Sequence, residues 1–231
     1  MTYAIECHDI TYTWPQAKNP AIHIKSFSLE KGERLFIHGA SGSGKSTFLS
    51  LIAGLLSANT GEIKILDHPF NGMSDRQKDR FRSKHIGFVF QQFNLIPYLS
   101  VEDNIALPAK ISGLDKDKTL TRTHALMDSL LLDAKLLKHR ADQLSIGQQQ
   151  RVAVARALIN EPEILIADEP TSALDEEAKD EFMDLLLSTQ QRTASTIIFV
   201  SHDRDLMKHF EHQSSMSDMN LALSKRGFHV L

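Results

Sequence analysis

One cysteine, one tryptophan and three tyrosines stand in 231 residues. The lone Cys7 excludes an internal disulfide and fits a reducing compartment. Positive charge is in no excess: 26 Lys and Arg face 29 Asp and Glu, a formal net charge of −3. A surface that coats a phosphate backbone needs a basic excess, so nucleic acid is not an expected partner. Long apolar runs are missing as well. The longest, Phe48 to Ala58, is interrupted by Ser50, Gly54 and Ser57, short of the ~18 residues a membrane span needs. Met1 to Cys7 has neither a basic n-region nor a long apolar h-region, so no signal peptide is expected. Internal repeats, low-complexity tracts and coiled-coil heptads are absent from the sequence. The length allows one substantial core, or a core with an inserted subdomain. The expectation is a soluble, cytoplasmic protein whose work at any membrane needs a separate partner.

Against that background Gly39-Ala40-Ser41-Gly42-Ser43-Gly44-Lys45-Ser46 stands out. It satisfies G-x-x-x-x-G-K-[ST], the P-loop, at every fixed position. An apolar run, Arg34 to Ile37, leads in, and a helix-like run, Thr47 to Leu56, leads out. Glycines let successive N–H groups turn inward on an anion, and the following helix adds its positive dipole end. Lys45 is expected to reach the β- and γ-phosphates, and the Ser46 hydroxyl to ligate Mg²⁺. The chain is therefore read as binding a nucleoside triphosphate.

Around this loop the pattern alternates. Tyr3 to Trp14 and Ile22 to Leu29 read as strands, the first with only loose alternation at Ile5, Ile10 and Tyr12. Tyr12 or Trp14 could stack on a purine, although spacing alone favours ordinary strand aromatics. Gly61 to Leu66 reads as a strand. Ser74 to Lys84, with Arg76, Lys78, Arg80, Arg82 and Lys84, reads as a solvated helix face. Ile86 to Phe90 is a short apolar strand suited to burial on both sides, and it runs into Gln91. From Phe93 to Gln143 strand-like runs give way to helical ones, Val101 to Ile111 and Lys118 to Leu132, punctuated by Pro97, Pro108 and Gly113. Strands return at Glu163 to Asp168 and Thr196 to Ser201, with a helix from Glu176 to Gln191 between them. The reading is an α/β chain with a mainly parallel sheet and a helical insertion.

Three further constellations carry chemistry. Ile164 to Asp168 is an apolar strand ending in two carboxylates, Asp168 and Glu169. Beside a P-loop, the strand-end Asp is the natural partner of Mg²⁺. If the chain stays extended, Glu169 points the other way, towards a water in line with the γ-phosphate. Ser145 and Gln148 have capping-box spacing ahead of a helix from Gln149 to Ile159. Ser145 with the Gly147 N–H could also form a second anion site at that helix N-terminus. His202 ends the last apolar strand, where it could contact a γ-phosphate or orient an attacking water. His209 and His212 read as solvated helix neighbours without a completed metal site.

Taken together, the motif order resembles the nucleotide-binding subunits of ABC transporters over almost the entire chain. Gly39 to Ser46 matches Walker A, Gln91 the Q-loop, Leu144 to Gln148 the signature, and Ile164 to Asp168 Walker B with Glu169 as catalytic glutamate. Ser172 to Asp175 matches the D-loop, His202 the switch histidine, and Trp14 the adenine-stacking aromatic, with Tyr12 still open. His85 to Pro97 and Val101 to Ile105 look like the lipoprotein-release and macrolide-exporter branch (LolD- and MacB-like), whose ATPases work with FtsX-type permeases. The resemblance implies a P-loop NTPase core with an N-terminal antiparallel part: one domain over 1–231, its α/β core at 1–92 and 160–231, its helical subdomain with the signature at 93–159. It also implies ATP and Mg²⁺ as cofactors and a homodimer closing on ATP. The nucleotide would be held by Trp14, by Gly39, Ala40, Ser41, Gly42, Ser43, Gly44, Lys45, Ser46 and Thr47, by Gln91, and by Ser145, Gly147, Gln148 and Asp175. The metal would be held by Ser46, Gln91 and Asp168, and the catalytic set would be Glu169, His202 and Lys45. Location would be peripheral, on the cytoplasmic face of the inner membrane. A P-loop kinase would need no signature. A non-transport ABC ATPase, such as a divisome regulator, is the alternative. Three departures stand: Ile146 in place of the signature's first glycine, His38 before the P-loop, and Asp218-Met219-Asn220 in place of the usual Asp-Gly turn, with no regulatory domain expected after it.

Overall fold

A computed structural model describes residues 2–172, 174 and 176–224. Two compact units divide the chain, Met1–Lys78 with Thr196–Leu231, and Asp79–Ser195.

In the first unit, β1 (Tyr3–Tyr12), β2 (Ile22–Glu30), β4 (Thr60–Ile65) and β5 (His68–Pro69) form an antiparallel sheet in the order β2-β1-β4-β5. Ile5 pairs with Leu29 and Ile65, and Cys7 faces Ile63, so apolar cross-strand pairs line the buried side. The loose alternation of β1 has a cause. Register shifts fall between Tyr3 and Ile5 and between His8 and Thr11, and Asp9 takes φ 48°. Gly61, at φ 86°, faces this bulge, and a Cβ there would lie 2.4 Å from the Asp9 carbonyl oxygen. Only glycine fits.

The same unit holds a parallel set, with β3 (Arg34–His38) between β8 (Thr196–Val200) and β9 (His212–Ser215). Phe36 stacks on Phe199 at 5.9 Å, and Phe210 packs against both rings. The sequence reading missed β9. His-Gln-Ser-Ser carries no apolar residue, and backbone pairing to β3 alone makes it a strand. His209 and His212 are therefore not helix neighbours. His209 ends a 3₁₀ turn, Arg204–His209, and its Nε2 is buried. His212 opens β9, its Nε2 3.1 Å from Glu33. Two short helices follow, α7 (Met216–Met219) and α8 (Leu221–Ser224), lying against β2.

In the second unit, β6 (Ile86–Val89) pairs in parallel with β7 (Ile164–Asp168). The helices are α3 (Val101–Ser112), α4 (Lys116–Ser129), α5 (Ile146–Leu158) and α6 (Glu176–Thr193). Pro108 lies inside α3 rather than ending it, and the stop is Gly113 at φ 81°. Asn104 of α3, fully buried, accepts from the Ile96 N–H at 2.8 Å and donates to the Ile96 and Ser100 carbonyls at 3.1 and 3.0 Å. It braces the turn that leads into the helix. Asn104→Ala leaves those groups unpaired, so a stability loss of about 2–3 kcal/mol is expected. A fall in the denaturant midpoint would register it.

The charged helix α2 (Asp75–His85) is not a fully solvated face: Phe81 is buried, Arg82 is half-buried, and one cation is buried outright. Lys78 is buried, its stem beside Gly54 and its ammonium on Ser57 Oγ at 2.7 Å. Arg82 bonds to Asp79 on the same helix.

Candidate functional site

The P-loop leaves β3 at His38, whose backbone pairs with Ser215 of β9. Gly42 and Gly44 take φ 76° and 100°, conformations that turn successive amides to one side. Helix α1 (Lys45–Ile52) starts on the motif's lysine, two residues before the expected Thr47, and stops earlier than Leu56 because Gly54 turns the chain at φ 69°. Lys45 folds back on the loop, its Nζ donating to the Gly39 and Ala40 carbonyls at 2.8 and 3.2 Å. Ala40, Ser41, Gly42 and Ser46 are exposed, Ser43 is buried, and Thr47 is half-buried. A glycine-turned loop, a helix N-terminus and a primary ammonium are the parts from which a phosphate cradle can be built.

Other predicted residues of this unit sit as follows. Trp14 lies just beyond β1, 46% exposed, and meets the buried Tyr12 edge-on at 5.1 Å. Of the two aromatics, Trp14 is the one with a face available for stacking. His202 is exposed and directly follows Ser201, whose Oγ accepts from the Asp203 N–H at 3.0 Å.

In the second unit, Gln91 is exposed in the turn after β6. Phe93 and Asn94 then take φ 55° and 49°. Their carbonyls are held by the buried Arg156 of α5, at 2.5 and 2.6 Å. Burial pushes this guanidinium below the usual arginine range. The sequence reading missed Arg156. Its signal was an arginine on the apolar face of Val-Ala-Val-Ala-Arg-Ala-Leu, where a surface residue does not belong.

Strand β7 is buried through Ala167, and Asp168 ends it half-buried. Glu169 is not extended. It turns left-handed at φ 48°, and its carbonyl accepts from the Ser172 N–H at 3.2 Å. The backbone thus turns at Glu169 and does not continue the strand.

Ser145 caps α5, which begins at Ile146 rather than Gln149. Both capping-box bonds form: Ser145 Oγ accepts from the Gln148 N–H at 3.3 Å, and Gln148 Oε1 from the Ser145 N–H at 3.0 Å. Gly147 has open space where a side chain would stand, and Ile146 is 59% exposed. Ser145, Gly147, Gln148 and Arg151 border a 470 Å³ groove with Leu131 and Asp133. From the next turn of α5, the buried Gln150 donates to the Pro170 carbonyl at 3.0 Å. This bond ties the signature helix to the exit of the Glu169 turn. Asp175 and Ala173 lie outside the described residues.

The profile of the ABC transporter family matches residues 22–172. The chain belongs to the ABC transporter ATP-binding family. The uncharacterized ABC transporter ATP-binding protein YbbA of Escherichia coli K12 is 42% identical over 178 residues, 77% of this chain and 78% of that one. The lipoprotein-releasing system ATP-binding protein LolD of Coxiella burnetii is 37% identical, over 87% of both chains. The macrolide export ATP-binding/permease protein MacB of Pasteurella multocida is 37% identical over 93% of this chain but only 33% of its own length. The dimeric ABC transporter cassette MJ0796 superposes with a TM-score of 0.81 at 35% identity, covering 91% of this chain and 93% of that one. It also superposes equally in a post-hydrolysis dimer bound to ADP and Pi. This ABC ATPase is of the LolD and MacB type. Among its described residues no helix is long and apolar enough to cross a membrane.

Proposed function

We propose that this ABC ATPase closes as a homodimer on ATP and drives a separate FtsX-type permease, in lipoprotein release or efflux, from the cytoplasmic face of the inner membrane. The observation that carries this reading is the likeness to a lipoprotein-releasing ATP-binding protein across 87% of both chains. In this proposal residues 1–92 and 160–231 act as the catalytic core, and 93–159 as the helical subdomain.

The roles are those that the family resemblance implies, and the chemistry of the residues supports them. Lys45 and the amides of Gly39 to Thr47 hold the phosphates, and Trp14 stacks on the adenine. Ser46, Asp168 and Gln91 offer only hard oxygen donors, a set that fits Mg²⁺. When bound, Mg²⁺ would neutralise charge on the phosphates. Glu169 accepts the proton of the attacking water, and His202 holds the γ-phosphate end. Ser145, Gly147 and Gln148 supply a second grip on phosphate through the N-terminus of α5, and Asp175 is assigned to the nucleotide by the family resemblance. The hydroxyl hydrogen of Ser145 remains available for this, because the cap uses only its oxygen as an acceptor. Catalysis is then mainly positioning and charge stabilisation. The γ-phosphate favours the closed dimer, and its loss reopens it.

Permease contact is tested at Tyr98. The stretch Phe93 to Leu99 divides: Phe93 is buried, whereas Tyr98 is 70% exposed at the mouth of the helical segment. Burial pushes the only native thiol, Cys7, up to about 12, so it stays unreactive and needs no removal. Tyr98→Cys is expected to crosslink to a co-expressed FtsX-type permease. A folded, ATP-binding variant that yields no crosslink at Tyr98 or Leu99 counts against this face as the contact.

A further inference from the structure

Asn220 lies in the tail that carries no family motif, yet it is fully buried and uses every polar atom of its side chain. Its Oδ1 accepts from the His23 N–H at 2.8 Å and the Ala222 N–H at 3.2 Å. Its Nδ2 donates to the Ala21 carbonyl at 2.8 Å and the Ser43 carbonyl at 3.1 Å. The last of these lies inside the P-loop. A primary amide of this kind, buried and saturated, clamps three separate segments at once.

The consequence for the loop follows from peptide geometry. The Ser43 C=O and the Gly44 N–H share one planar trans peptide and point in opposite directions. With the carbonyl turned onto Asn220, the Gly44 amide must point away from it. Glycine tolerates either sign of φ, so Gly44 by itself does not prevent this peptide from flipping. A flip would break the Asn220 bond and set the Gly44 N–H against the Asn220 NH₂, donor against donor. The fit is also tight: a Cβ on Gly44 would lie 2.8 Å from Ile22 Cδ1 and 3.2 Å from Asn220 Nδ2.

We propose that Asn220 is a positioning residue for nucleotide binding, locking the 43–44 peptide so that the Gly44 amide is fixed for phosphate. This rests on the P-loop reading above. Asn220→Asp is the direct test. It keeps both acceptor bonds and replaces the donor with a carboxylate oxygen facing two carbonyls. The measurements are mant-ATP affinity, the KM and kcat of ATP hydrolysis, and nitrogen-15 glycine spectra with and without ADP, in which Gly44 is one of 11 glycines. Affinity is expected to fall and KM to rise about tenfold, the scale of one or two lost hydrogen bonds, while kcat at saturating ATP changes less. The Gly44 amide should also lose its response to ADP at concentrations that saturate the wild type. Ile65→Ala, a cavity in the antiparallel sheet, serves as the control that lowers melting temperature without moving KM. Asn220→Ser is the second variant should Asp destabilise the chain.

Affinity within twofold of wild type in a folded variant overturns the proposal. So does equal loss in KM and kcat, and so does failure of both variants to fold, which would make Asn220 a residue of the fold alone. Lys45→Ala separates the premises. If it binds mant-ATP as well as wild type, the P-loop reading itself fails. If it binds weakly while Asn220→Asp binds normally, only the role of Asn220 fails.

Discussion

Glu169→Gln is expected to keep ATP and stop turning it over. The amide has the size of the carboxylate and the same backbone, so the left-handed residue at φ 48° is preserved, with its Ser172 bond. What is lost is a group able to take a proton from water. Loss of a positioned general base, with its charge, predicts a fall in kcat of about 10²–10³. In the proposed site the phosphate grip belongs to Lys45 and the loop amides, so ATP binding should hold or tighten as the closed state persists. Steady-state hydrolysis and nucleotide retention after gel filtration should be measured on the same preparation. Near-normal turnover would remove Glu169 from the catalytic role. Loss of both turnover and retention would instead point to damage in the fold.

What could be read beforehand was local. The P-loop, the capping box at Ser145 and the acidic end of β7 are each set by residues within a few positions of one another, so spacing reveals them. The fold class followed from alternation, because buried parallel strands such as Ile164 to Ala167 are continuous apolar runs. Features made by distant parts of the chain stayed hidden. Strand β9 exists through pairing with β3, not through its own side chains. Arg156 reaches Asn94 across 62 positions, and Asn220 reaches Ser43 across 177. Lys78 sits in a run that reads as solvated, and only its partner Ser57 explains its burial. The loose alternation of β1 was real, but its cause, a bulge fitted to Gly61, needs the neighbouring strand to be seen. At the two carboxylates the backbone departs from the expectation, since the chain turns at Glu169 where an extended strand was expected.

The second large effect is a gain, not a loss. Lys45→Ala and Ser145→Arg should each be inactive alone and should recover hydrolysis when mixed. The reason is that the proposed arrangement gives one chain two helix N-termini for phosphate, at Lys45 and at Ser145, serving ATP molecules on opposite sides of a dimer. Lys45→Ala removes the ammonium that otherwise rests on the Gly39 and Ala40 carbonyls. Ser145→Arg removes the cap and sets a long cation where the hydroxyl must approach. A lost cap costs about 1 kcal/mol, so the variant should stay folded. In a mixed dimer both defects fall in one composite site, and the other pairs an intact P-loop with an intact signature. Random pairing makes about half of the dimers mixed, each with one working site, so up to roughly a quarter of wild-type activity should return if sites act independently. If Ser145 served the ATP of its own chain, every subunit would stay broken and mixing would restore nothing. Cooperativity is the one confounder, because closure can require both sites. Adding Glu169→Gln to both variants removes hydrolysis and leaves closure to be followed by light scattering with ATP. Closure in the mixture without ATPase recovery would mean that two intact sites are required for turnover. Closure in the Glu169→Gln parent but not in the mixture would show that one intact site cannot hold the dimer. No closure in either would sink the trans arrangement for the isolated ATPase.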